Sequence, residues 1–142
     1  MPSYSALDPV TVAVYNALNV AALLALAPGG VGDDIAQLTV YPNVLIEVSE
    51  HTVGGLGTKA GTGKRTLDID LRLHVFSQYA GFLEAQQVMA KCIELLADAP
   101  AVTGYGSWAI FHDDTVPLPG TLIAGARANE LVGMFRLYVS EA

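Results

Sequence analysis

"TLDIDLRLHVF", residues 66–76, sets Leu67, Ile69, Leu71, Leu73 and Val75 at every second position, against Asp68, Asp70, Arg72 and His74. Successive side chains of an extended chain point to opposite faces, so this spacing predicts a strand with one face in a core and the other in water. Antiparallel sheets tolerate one wet face, whereas parallel sheets are covered on both and read as continuous apolar runs. The stretch therefore points to an antiparallel sheet.

Upstream, "VLIEVSE", residues 44–50, alternates Val44, Ile46 and Val48 with Leu45, Glu47 and Ser49. The two strands are predicted to pair as a hairpin, joined by a glycine-rich loop over residues 53–66 that carries Lys59, Lys64 and Arg65. Gly63-Lys64 in that loop resembles the end of a phosphate-binding motif, G-x-x-x-x-G-K-[ST]. Thr58 stands where its first glycine belongs and Arg65 where its Mg²⁺-binding hydroxyl belongs, and a strand follows instead of a helix. A basic connecting loop is the better reading.

Downstream, "GFLEAQQVMAKCIELLADAP", residues 81–100, repeats Phe82, Ala85, Met89, Cys92 and Leu96 at three- and four-residue spacing and ends at Pro100. This predicts an amphipathic helix covering the apolar face of the sheet. "SWAIFHD" (residues 107–113) and "LVGMFRLYVS" (131–140) read as two further strands, with residues 114–130 as a long connection between them. Near the start, Asp8-Pro9 opens a helix over residues 10–27 that stops at "PGG". The expectation is one α+β domain over residues 1–142, an antiparallel or mixed sheet of about four strands packed by two helices, with long loops.

The segment "VTVAVYNALNVAALLALA", residues 10–27, is apolar nearly all round, with Val14 and Leu18 on one face. A helix of that kind needs cover on more than one side, so Val14 and Leu18 are expected at an interface between subunits. It barely reaches the ~20 apolar residues that span a bilayer, holds Asn16 and Asn19 in its middle and lacks a basic leader. No membrane partner is expected.

The formal net charge is −7, and residues 1–58 contain no Lys or Arg. Binding in a nucleic-acid groove rests on many cation–phosphate contacts, so that class is disfavoured. An acidic surface suits instead a wall past which DNA slides. Cys92 is the only cysteine, which excludes an intrachain disulfide and makes a cysteine-based zinc site improbable. Asp68, Asp70 and His74 share a strand face and offer a conceivable metal or acid/base row, but Arg72 lies among them and favours a salt-bridged solvent face. "HDD", residues 112–114, reads as a turn, and "GYGSW", residues 104–108, does not fit G-x-S-x-G. Neither an enzyme nor a cofactor is expected.

The stretch "IDLRLHVFSQYAGFLEAQQVMAKCIELLADAP" resembles the tail completion, or tail terminator, proteins of long-tailed phages, the family related to lambda's tail terminator. Ser77, Gly81, Glu84, Ala85, Leu95 and Leu96 stand where that pattern places a strand-ending serine, a glycine and a Glu-Ala helix closing in a leucine pair. "VYNAL" (Val14 to Leu18) and "YPNVLIEV" (Tyr41 to Val48) are similar to the family's opening helix and first strand. The resemblance implies a ring-forming, hexameric virion subunit, assembled in the host cytoplasm, that caps the head-proximal end of the tail tube. Its implied partners are copies of itself, the tail tube protein and the head–tail connector, with DNA passing through the lumen unbound. A tail-tube or head-completion subunit is the alternative within this class, and a small nucleotide-binding enzyme is the remote one. Lys59, Lys64 and Arg65 are the main basic cluster of an acidic chain, and are expected to act as a docking arm.

Overall fold

The computed structural model describes residues 7–51, 66–98, 101–123 and 126–141. In chain order the elements are α1 (Leu7–Leu18), α2 (Ala21–Leu24), β1 (Val31–Gly32), a 3₁₀ turn (Ile35–Gln37), β2 (Asn43–His51), β3 (Thr66–Ser77), α3 (Leu83–Leu96), β4 (Tyr105–Ile123) and β5 (Ala126–Glu141). The fold is α+β. Its sheet runs β1-β2-β3-β5-β4, antiparallel throughout except that β1 joins β2 in parallel through Val31↔Val44 and Gly32↔Leu45.

The alternation of residues 66–76 is realised in β3: Ile69, Leu71, Leu73 and Val75 are fully buried. They pair with Leu137, Phe135, Gly133 and Leu131 of β5, and the inward set of β2, Val44 and Ile46, continues the same layer. Helices α1 and α3 cover this face, α3 through Ala85, Val88, Met89, Cys92 and Leu96. Removing these side chains from water stabilises the subunit by about 25 cal/mol per Å² of apolar area buried.

Three sequence expectations are revised. The apolar run over residues 10–27 is not one helix but two, because Val20 takes an extended backbone (φ −125°, ψ 156°). At 3.6 residues per turn an unbroken helix would carry Leu23 about 140° round from Leu18, away from the core. The break brings both inside, so Val10, Val14, Leu18, Leu23 and Ala27 are all fully buried within one subunit. Secondly, most of the predicted connection over residues 114–130 is strand: β4 and β5 form one long hairpin, paired from Tyr105↔Glu141 to Ile123↔Ala126. Its two prolines had disguised it, but β4 is the edge strand, where an absent N–H breaks no ladder. Thirdly, residues 112–114 are no turn but a bulge in β4, between His112 and Asp114. With β1 and α2 added, the described residues form a five-stranded sheet and three α-helices.

The "PGG" stop has a further role. Gly29 N–H donates to Pro42 O (3.0 Å), and a Cβ on Gly29 would lie 1.9 Å from Val40 O, so only glycine allows this close passage. Buried Asn43 fastens the other side of the crossing by donating from Nδ2 to Val40 O at 2.8 Å.

Candidate functional site

Surfaces on which this chain could meet partners are built from the sheet's second face, its two edges and the ends of its strands. On the second face the polar side chains of β3 point away from the helices. Arg136 of β5 places Nε 4.0 Å from Asp68, 3.9 Å from Asp70 and 4.0 Å from Asp113. Its guanidinium is held above its already high ordinary pKa, first by hydrogen bonding to Tyr138 and then by the charge of Asp68. Arg72 lies 3.8 Å from Glu47, and His74 contacts Glu130 through Nδ1 (2.5 Å) and Glu47 through Nε2 (3.5 Å). The Asp68/Asp70/His74 row is thus a cross-strand ion-pair network with acid in excess. No trio of His, Cys, Asp or Glu is placed to hold a metal among the described residues.

The network's partners, Arg136 and Glu130, come from β5, about sixty residues along the chain from β3, and only the fold brings them together. Towards the β4–β5 hairpin tip the same face turns apolar: Phe76 and Ala128 are buried against Tyr41 and Leu45. Leu118 (44% exposed) stands on β4 beside it, whereas Phe111 (55%) pairs with Arg136 within the ion-paired part of the face and packs edge-on against Tyr138.

Of the residues expected at an interface, Val14 and Leu18 are fully buried in the subunit's own core. The outward residues of α1 are instead Val12 (57% exposed) and Tyr15 (37%). Together with Thr11, Gly32, Asp33 and Ile46 they line an open cleft where β1 ends. Lys59, Lys64 and Arg65 lie outside the described residues. The β2 and β3 ends that lead to them meet Tyr105 and Glu141 at one end of the sheet, opposite the tip of the β4–β5 hairpin.

The corner from β3 into α3 contains the serine, glycine and glutamate of the family pattern. Fully buried Ser77 donates from Oγ to Glu84 (2.7 Å) and accepts from Tyr79 N–H (3.1 Å). Gly81 takes φ +91°, which an L side chain would strain. Phe82 at the N-cap has no side-chain acceptor to offer, so the Glu84 carboxylate supplies the negative charge at this helix start. Asn129 of β5 binds the corner by donating to Tyr79 O and Gly81 O at 3.1 and 2.8 Å. Cys92 is buried in α3, its thiol pushed up to about 12 by desolvation, which makes it inert as a nucleophile at neutral pH. No helix among the described residues is long and apolar enough to cross a membrane.

Comparison with known proteins agrees with this architecture. The family model of tail completion protein gp17 matches residues 12–125. A chain from the virion of a native gene transfer agent particle superposes with a TM-score of 0.68 at 19% identity, covering 97% of this chain and 99% of its own. The gp17 protein of bacteriophage SPP1 gives a TM-score of 0.49 at 18% identity, over 92% and 88% of the two chains. No curated protein sequence matches.

Proposed function

Since this chain belongs to the tail completion protein gp17 family, we propose that it closes into a ring on the head-proximal end of a phage tail tube, stops tube growth there and presents a face to the head connector. The observation that carries the reading is the family match over residues 12–125. The subunit is a structural component of the virion, and its working unit is a homo-oligomer, six subunits by the family resemblance. Apolar Val12 and Tyr15 on the outward side of α1 supply contact surface for neighbouring subunits. The acid-rich face around Asp68, Asp70 and Glu47 lets DNA pass without being held, because phosphates are repelled where carboxylates outnumber arginines. Lys59, Lys64 and Arg65 act as the arm that docks on an acidic partner.

The test is light scattering and negative-stain imaging of the purified chain, alone and added to growing tail tubes. Closed rings, and tubes capped at one end, are expected. Open-ended polymers of the chain itself would make it a tube subunit instead, since a heterologous contact that does not close runs on indefinitely. A monomer at every concentration, with uncapped tubes, would overturn the proposal.

A further inference from the structure

The two edges of the sheet are unequal, and they match. On one side β1 covers β2 only at Val44 and Leu45, which leaves the backbone edge of residues 46–51 without a strand partner among the described residues. On the other side β4 is the outermost strand along its whole length. Following the register across the sheet, Val44 is level with Val75, Leu131 and Pro117, while Ile46 is level with Leu73, Gly133 and Thr115. His51 is level with Asp68, Tyr138 and Ala109.

Pro117 therefore stands at the height where the opposite edge is already covered by β1. Pro119 lies further towards the hairpin tip. From Thr115 back to Ala109, where the opposite edge is open, β4 contains no proline. Proline protects a free edge because it has no N–H to offer to an incoming strand. Here that protection coincides with the part of β4 that would face two-residue β1 of a second copy rather than β2.

Strand direction agrees. Each of β2, β3, β5 and β4 runs opposite to its neighbour, so β2 and β4 point in opposite directions. A second copy set beside the first in the same orientation brings its β2 against β4 antiparallel, and the alternation continues unbroken from subunit to subunit. From these matches we infer that residues 109–115 of one subunit pair with residues 46–51 of the next, in a repeating head-to-tail contact. This inference rests on the ring reading and names the surface that makes it.

The bulge at Asp113 adds a residue to β4 and divides this ladder into two short runs. Asp113 is paired with Arg136, and where Asp114 comes level with Glu47 across the seam, Arg72 beside Glu47 (3.8 Å) supplies the opposing charge. The cleft beside the open part of β2, walled by Val12, Tyr15 and Ile46, gives the incoming strand an apolar flank.

Cysteine cross-linking tests the contact in the full-length chain. Ser49→Cys is combined in turn with Ala109→Cys, Phe111→Cys or Val116→Cys, all on the sheet face away from the core. Within one subunit the paired strands are three spacings apart, about 14 Å, too far for a disulfide, whose Cα atoms lie roughly 4.4–6.8 Å apart. Buried Cys92 adds no background. Expected is a ladder of covalent oligomers from at least one double variant on a non-reducing gel, with every single variant monomeric. Rings by imaging without a ladder from any pair would overturn the edge contact while leaving the ring reading. Covalent dimers from Ser49→Cys alone would overturn it in favour of a two-fold β2–β2 contact, and the absence of both rings and ladders would overturn both.

Discussion

Replacing Ser77 by Ala isolates the strand-to-helix corner. The change removes Oγ from a fully buried site, deleting the 2.7 Å bond to Glu84 and leaving the Tyr79 N–H without its 3.1 Å acceptor. A hydrogen bond to a charged group contributes about 1.5–3 kcal/mol, and a stranded donor costs about 1–3 kcal/mol when it is cut off from water. Both Glu84 and Tyr79 keep partial access to solvent, so the total expected is about 2–3 kcal/mol. For a chain of this length that lowers the melting temperature by roughly 6–10 °C. Urea unfolding at fixed protein concentration is the assay, since assembly would otherwise shift the apparent stability. An unchanged slope with a lower midpoint would assign the loss to the folded state. A double-mutant cycle with Glu84→Gln should give a coupling of about 1 kcal/mol. If Ser77→Ala falls within about 0.5 kcal/mol of wild type and the cycle is additive, the corner is held by the packing of α3 and by Asn129, and the reasoning fails.

Leu18→Ala should destabilise the isolated subunit by about 2–5 kcal/mol. Val12→Ser with Tyr15→Ser should leave subunit melting within about 1 kcal/mol of wild type and weaken oligomers measured by sedimentation; the reverse pattern would exchange core and interface on α1. Replacing Lys59, Lys64 and Arg65 together by Ser should preserve the melting temperature and reduce tail-to-head joining in a salt-sensitive complementation assay. Normal phage yield from that triple variant would remove the docking role.

Where one physical signal dominated, the sequence was legible. Residues 44–49 of β2, residues 68–75 of β3 and helix α3 each bury one face only, and their periods of two and about 3.6 residues show it. Residues 10–27 conceal their break because apolar residues on every side carry no phase, and only the burial of Leu18 and Leu23 on one core face reveals it. Pro117 and Pro119 hid half of the β4–β5 hairpin, since whether a proline breaks a strand depends on whether that strand is an edge. Two-residue β1 is too short to leave a pattern. The ion-paired character of the Asp68 face was readable from Arg72 lying within it, but the partners Arg136 and Glu130 were not, because pairing across a sheet depends on register rather than nearness in sequence.

The order of the strands also has a kinetic consequence. The chain's long central pair joins Thr66 to Ser140 and Ser77 to Asn129, with α3 and β4 threaded between them. Loop-closure entropy must be met before such distant contacts begin to stabilise the fold, so topologies of this kind close late. Strand β5 follows every other element in chain order and still lies between β3 and β4. Until it has been synthesised, β3 has no partner on that side and β4 has none at all. The two edges inferred to join subunits therefore do not belong to one sheet before β5 is in place, which ties assembly competence to completion of the fold.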